Sequence, residues 1–137
     1  MVNRSGRATV PSGVQVVKGD AADVVSIGQA CKGASVIYHC AKAPYTEWPE
    51  KFPPIMKGII DAAAGEEAKI VYGDNLYMYG SKYEVLTEEL PNDAIGRKGR
   101  TRAQMADALL AAHHSGKVRA VIGRGADFTV LECWIPH

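Results

Sequence analysis

The sequence predicts an α/β fold in which short parallel strands alternate with helices. Two observations lead to this prediction. Short apolar segments recur along the chain and are separated by helical patterns, which implies parallel pairing through right-handed crossovers. The segments are apolar throughout, as in strands that helices cover on both faces. Four of them end in small polar clusters, namely Asn3-Arg4-Ser5, Gly19-Asp20, His39-Cys40-Ala41 and Gly73-Asp74-Asn75.

The first part of the chain predicts two strands and a helix. Val2 reads as the end of a strand whose body is absent, and a loop rich in Gly, Ser and Pro follows it. Residues 14–17 are β-branched at three of four positions and predict a strand. A helix is expected over roughly 22–32, with Asp20 or Asp23 as its cap.

The remainder predicts three strands and two longer helices. Four prolines in 43–54 are expected to break regular structure before a helix over 54–65. The helix over 97–115 has the clearest apolar periodicity, and residues 75–92 form a long loop. The strands fall at 35–40, 68–72 and 118–122.

Composition limits the function classes. The chain has 137 residues, enough for one domain, and a net charge of +1, which recruits neither nucleic acid nor anionic lipid. No apolar run reaches the length of a membrane span. Three cysteines without metal-ligand spacing favour reduced thiols in the cytoplasm and no metal site.

Polar residues at the strand ends are candidates for binding a dinucleotide, because such ligands lie at the carboxyl ends of parallel strands. The Gly-rich turn that normally holds the pyrophosphate after the first strand does not occur in this sequence. At the first strand end, Asn3, Arg4 and Arg7 include no acidic residue, and arginine suits a ribose 2′-phosphate. This favours NADP over NAD. Solvated arginines in an N-terminal arm would give the same sequence pattern.

The next strand ends offer weaker signals. Asp20, followed by Ala21, could accept from an adenine amino group or cap the next helix. Cys40 and Ala41 are small enough for a cofactor to approach the backbone, and Cys40 is expected to be a buried hydrophobe. His39 reads as a structural histidine, because no obvious nucleophile lies near it in sequence.

A resemblance to a known family rests on the segment Asp74-Asn75-Leu76-Tyr77-Met78-Tyr79-Gly80. It resembles the end of the fifth strand in the NAD-dependent epimerase/dehydratase family, the extended and atypical short-chain dehydrogenases. The downstream run Gly96-Arg97-Lys98-Gly99-Arg100 is similar to the family's active-site helix. The resemblance extends from Val2 to about Phe128.

The resemblance implies roles for two residues. In the family a Tyr is the general acid/base, and a Lys four positions later holds the nicotinamide ribose and lowers the pKa of the Tyr. Lys98 falls on that lysine, but Ala94 stands where the Tyr would be. The Ser or Thr that orients the substrate carbonyl falls on Asn75. The possible substitutes for the Tyr hydroxyl are Tyr77, Tyr79 and Tyr83.

A basic cluster begins the helix over 97–115, where cations oppose the helix dipole. Its members are Arg97, Lys98, Arg100 and Arg102. An anionic ligand, such as the phosphate of a cofactor, would relieve this repulsion. A nucleic-acid patch is the weaker alternative, because no aromatic residues flank the cluster.

Together these observations predict a partial Rossmann-like parallel sheet with flanking helices and a missing first strand. We expect a truncated NAD(P)-binding domain over 1–128 and a divergent tail over 129–137, with the chain cut at both ends.

The cofactor contacts would be Asn3, Arg4, Asp20, Ala21, Cys40, Ala41 and Lys98, and the catalytic residues would be Asn75 and Lys98. The expected ligand is NADP, with NAD second, and the substrate a nucleotide sugar or carbonyl compound. A homodimer is compatible with this reading. The alternative is a remnant or nucleotide-binding module without turnover.

Overall fold

A computed structural model describes residues 1–81 and 85–126 and contains five parallel strands, three α-helices and one short 3₁₀ turn. In chain order the elements are β1 (Val2–Asn3), β2 (Val17–Lys18), α1 (Val24–Ala30), β3 (Val36–His39), α2 (Trp48–Gly65), β4 (Lys69–Asp74), the 3₁₀ turn (Tyr77–Tyr79), α3 (Arg97–His114) and β5 (Arg119–Arg124). The predicted boundary at residue 128, the tail over 129–137 and Tyr83 lie outside the described residues. None of the described helices has both the length and the hydropathy needed to cross a bilayer.

The strands form two separate parallel sheets. β1 pairs with β2, while β3, β4 and β5 form a second sheet with β4 in the centre. Within the described residues, no backbone hydrogen bond joins β1 or β2 to β3. Tyr38 of β3 is 72% exposed at this edge. The predicted α/β class and the partial Rossmann-like parallel sheet are confirmed.

The core lies between the three-stranded sheet and helices α2 and α3. Ile70 and Tyr72 of β4 are fully covered, because β4 has a strand on each side and helices against it. Met105 and Leu109 of α3 recur on the inner face of that helix. The apolar residues that recur with helical periodicity in the sequence therefore form the face that α3 buries.

Helix α2 begins six residues before its predicted start, so the expectation that the prolines break regular structure there is wrong. Pro49 lies in the first turn, where the helix does not need the missing N–H group. Pro53 and Pro54 lie inside the helix and each removes an N–H donor. Burial of neighbouring apolar side chains compensates for this loss; these are Phe52, Ile55, Met56, Ile59 and Ile60.

Helix α1 is capped by Asp23, one of the two predicted candidates. The carboxylate Oδ1 of Asp23 accepts hydrogen bonds from the amides of Val25 and Ser26 at 3.0 and 3.1 Å. Asp20 instead accepts from the amide of Ala22 at 3.0 Å, within the preceding turn. Both aspartates thus stabilise the connection between β2 and α1.

Candidate functional site

The carboxyl ends of β3, β4 and β5 open into one cavity of about 630 Å³. Its floor comes from the last residues of β4 and β5 and from the residues that follow β3, β4 and β5, and its opposite wall comes from α2 and α3. The lining residues are Cys40, Ala41, Lys42, Ala43, Tyr45, Trp48, Phe52, Gly73, Asp74, Asn75, Arg102, Gly123, Arg124 and Gly125. This position and volume are typical of small-molecule sites in parallel α/β sheets.

Asp74 is the buried carboxylate of the cavity, and two arginines flank it. Its side chain is 0% exposed, Arg102 Nε lies 3.0 Å from Oδ1, and Arg124 Nε lies 3.9 Å from Oδ2. Burial raises the pKa of Asp74 above its ordinary value, against the opposing effect of Arg102. Oδ1 accepts a hydrogen bond from the amide of Asn75 at 2.9 Å, whereas Oδ2 has no hydrogen-bond partner among the described residues, so the two guanidinium groups balance the charge of the carboxylate without hydrogen-bonding to it through Nε.

Aromatic rings surround the Arg102 guanidinium. Its Cζ atom lies 5.5 Å from the ring centre of Trp48, 5.1 Å from that of Phe52 and 5.5 Å from that of Tyr72. Such cation–π contacts hold a guanidinium in place without using its N–H donors. Burial and the nearby Asp74 carboxylate raise the pKa of Tyr72 far above its usual range, so this hydroxyl stays protonated.

Cys40, Ala41 and Asn75 are the predicted site residues that line the cavity. Cys40 is exposed, so the expectation that it is a buried hydrophobe is wrong; it follows the last residue of β3 and faces the opening. Asn75 Oδ1 accepts a hydrogen bond from the amide of Tyr77 at 3.1 Å and so shapes the start of the 3₁₀ turn.

Lys98 lies beside the cavity rather than in its lining. Its Nζ is 2.8 Å from the ring centre of Tyr45 and 6.0 Å from that of Trp48, and both of these rings line the cavity. The ammonium group is therefore at the aromatic rim. It can contact a ligand that extends out of the cavity, which is compatible with the predicted role in holding a ribose.

The remaining predicted contacts lie outside this cavity. Asn3 is engaged in its own turn, where Oδ1 accepts from the amide of Gly6 at 2.7 Å and Nδ2 donates to the carbonyl of Arg7 at 3.1 Å. Arg4 and Arg7 are exposed. Asp20 and Ala21 follow β2, with the Asp20 carboxylate committed to the turn before α1.

His39 has the structural role that the sequence predicts. It is fully buried, stacks on Tyr72 with ring centres 4.8 Å apart, and accepts at Nδ1 from the amide of Ala41 at 3.3 Å. Burial, with a smaller effect from Arg102, lowers the pKa of His39 to about 4. The ring is therefore neutral at neutral pH.

The basic cluster at the start of α3 is dispersed rather than gathered around one anion. Arg97 pairs with Glu50 at 2.8 Å, Arg100 donates to the carbonyl of Ile95, and Arg102 turns inward to Asp74. Protein groups therefore already partner Arg97 and Arg100, and Lys98 and Arg102 are the members of the cluster that lie next to the cavity.

The sequence does not identify Asp74 and Arg124 as site residues, and it identifies Arg102 only as a member of the basic cluster at the start of α3. A signal for Arg102 was present, because it precedes Met105, Ala106 and Leu109 by three, four and seven positions. This spacing places it on the buried face of α3. A charged residue on an apolar face is rarely buried without a partner or a function.

Comparisons with known proteins bear on the fold. No family profile and no curated protein matches the sequence. Solved structures do match. UDP-glucose 4-epimerase from Brucella ovis in complex with NAD superposes with a TM-score of 0.70 at 19% identity, covering 79% of this chain and 37% of that chain.

Two further structures give the same result. The dTDP-glucose 4,6-dehydratase from Streptomyces venezuelae with NAD and TYD bound has a TM-score of 0.75 at 18% identity, covering 83% of this chain and 38% of that chain. The UDP-glucose 4-epimerase of Thermus thermophilus in complex with NAD has a TM-score of 0.72 at 19% identity, covering 84% and 42%. The chain thus spans about two fifths of these structures and shares the α/β fold of that part of them.

Proposed function

We propose that this chain is part of a nicotinamide-dinucleotide-binding domain of an oxidoreductase related to epimerases and dehydratases. The observation that carries the proposal is the cavity at the carboxyl ends of β3, β4 and β5. That is where parallel α/β sheets bind dinucleotides. The similar structures from Brucella ovis and Thermus thermophilus hold NAD, which supports a nicotinamide cofactor.

In this proposal the cofactor lies across the strand ends. Ala41 and Cys40 would allow close approach of the ligand to the backbone after β3, and Lys98 would contact a ribose from the aromatic rim. When bound, the dinucleotide would supply hydride-transfer chemistry. The chain itself would hold and orient it and, through Trp48 and Phe52, limit the access of water.

The choice between NADP and NAD depends on the loop after β1. Arg4 and Arg7 are exposed there, and no described group pairs with either side chain. Two free guanidinium groups without a carboxylate favour a 2′-phosphate over a free 2′-hydroxyl. NADP is therefore the proposed first choice, and Arg4→Gln with Arg7→Gln should remove the preference without abolishing binding of NADH.

Turnover is proposed to be weak or absent in this chain. Ala94 replaces the proton-transferring Tyr, and the Asn75 side chain already accepts from the Tyr77 amide. Tyr79 contacts Arg124 through its hydroxyl. A nucleotide-binding module without turnover is the second candidate, favoured by the same observations. A nucleotide sugar or carbonyl compound would be the substrate of an active form, acting in the cytoplasm.

Titration with NADPH and NADH, followed by nucleotide fluorescence, tests the proposal. Saturable binding is expected, and Ala41→Leu should weaken it by about tenfold because the larger side chain projects where the ligand approaches the backbone. Ala111→Leu on the exposed face of α3 is the matched control and should bind as the unmodified chain does. Equal binding by both variants would place the cofactor elsewhere.

A further inference from the structure

The Nε atom of Arg102 is a buried hydrogen-bond donor that the described residues do not use. The residue is only 8% exposed, yet its Nε has no hydrogen-bond partner, although Asp74 Oδ1 lies 3.0 Å away. The ion pair is therefore close but poorly aligned. A buried N–H donor that makes no hydrogen bond lowers stability.

Arg124 adds a second guanidinium to the same cavity. Its Nε also lacks a hydrogen-bond partner, and its Nη1 donates to the hydroxyl of Tyr79. Asp74 is the only carboxylate among the described residues that line the cavity. Two guanidinium groups and one carboxylate leave one net positive charge on largely buried side chains.

Burial of an uncompensated charge is unfavourable, and an anion in the cavity would neutralise it. A monoanion matches the single excess charge, whereas a phosphate dianion would leave the buried cluster negative. Lys42 lines the cavity too, but it is exposed and water can solvate it. The charge balance therefore favours a monoanion, such as a carboxylate, over a phosphate dianion.

The walls of the cavity indicate what the carboxylate would be attached to. The rings of Trp48 and Phe52 line the space beside Arg102, and their centres lie 5.3 Å apart. Aromatic faces next to a guanidinium suit a ligand with an apolar body and one charged end. The volume of about 630 Å³ accommodates a molecule of this kind.

We propose that this cavity binds a small organic monocarboxylate, with the carboxylate at Arg102 and Arg124 and the apolar body against Trp48 and Phe52. Arginine forms paired hydrogen bonds with carboxylates, which would satisfy the orphaned donors. The dinucleotide is proposed for this same cavity, but carboxylate binding is measured without a nucleotide present, so the two proposals can fail separately.

Fluorescence of Trp48 provides the test. The chain has two tryptophans, so Trp134→Phe makes Trp48 the sole reporter. Cyclohexanecarboxylate, which is transparent at the wavelengths used, is the probe, and cyclohexanecarboxamide is its neutral counterpart of the same shape. We expect a saturable change in the millimolar range with the carboxylate, and binding of the carboxamide at least about tenfold weaker.

Variants then identify the groups responsible. Arg102→Gln and Arg124→Gln should each weaken carboxylate binding by about tenfold or more. Arg97→Gln is the control, because Arg97 belongs to the same helix but is exposed and pairs with Glu50. Circular dichroism tests whether each variant is folded. If Arg102→Gln is unfolded, the binding of carboxylate to Arg124→Gln and the comparison with the carboxamide test the proposal instead.

Three results would overturn the proposal. The first is no saturable response to the carboxylate at tens of millimolar, with sodium chloride as the ionic-strength control. The second is equal binding of carboxylate and carboxamide. The third is tighter binding of inorganic phosphate than of the carboxylate, which would indicate a phosphate site instead.

Discussion

Gly99 connects the start of α3 to the 3₁₀ turn, and replacing it with Ala tests whether these two elements pack as described. The residue is buried between Lys98 and Arg100. A Cβ atom at Gly99 would lie 2.5 Å from the carbonyl oxygen of Tyr77 and would also overlap the Cβ of Ala94. Ordinary contact begins near 3.4 Å, so the helix must move away by nearly 1 Å.

The expected cost follows from two opposing effects. Overpacking of this kind costs about 1–3 kcal/mol, and the obstacle here is backbone, which places the cost in the upper part of that range. The better helix propensity of Ala offsets about 0.5–1 kcal/mol of this cost. Gly99→Ala should therefore lower the free energy of unfolding by about 1–2 kcal/mol.

Gly28→Ala is the matched control, because Gly28 lies inside α1 and nothing is within 4 Å of the position of its Cβ. This variant should be more stable than the unmodified chain by about 0.5–1 kcal/mol. Urea unfolding followed by far-UV circular dichroism measures both. If Gly99→Ala proves as stable as Gly28→Ala, α3 does not pack on the 3₁₀ turn as described.

Three further predictions concern the fold around the site. Gly58→Ala should destabilise the chain by about 1–3 kcal/mol in urea unfolding, because the new Cβ would overlap the carbonyl oxygen of Ala21 where α2 meets the loop before α1. Asp23→Ala should cost about 1 kcal/mol in the same assay, and Asp23→Asn much less, because Asn retains the capping oxygen. The pKa of His39 is lower in the folded chain, about 4, than in the unfolded chain, 6.5. The free energy of unfolding should therefore have its full value above pH 6.5 and fall by about 3 kcal/mol as the pH drops to 4. His39→Gln should flatten this dependence and the exposed control His114→Gln should not; a flat profile in the unmodified chain would contradict the pKa.

The strands and helices were predictable because their patterns are local. Apolar segments predict all five described strands, although β2 lies at Val17–Lys18 rather than over 14–17. The parallel order of the strands follows from the intervening helices. The start of α2 is not predictable from the sequence because the local effect of proline is to break a helix. Burial of Phe52 and Ile55 in the folded protein outweighs the local effect of the prolines. A short window of sequence does not show which side chains the tertiary structure buries.

The candidate site was predictable only in part. Cys40, Ala41 and Asn75 were found because strand ends can be read from the sequence. The pairing of Asp74 with Arg102 joins residues 28 positions apart on different elements, which only the tertiary fold brings together. The inward direction of Arg102 follows the helical period of α3, whereas its neighbours Arg97 and Arg100 point outward to other partners.

Binding of a nicotinamide dinucleotide is the central claim, and isothermal titration of the chain with NADPH and with NADH measures it most directly. We expect saturable binding of both, tighter for NADPH, with the preference lost when Arg4 and Arg7 are replaced by Gln. No saturable heat with either nucleotide at millimolar concentration, in a chain that circular dichroism shows to be folded, would contradict the claim.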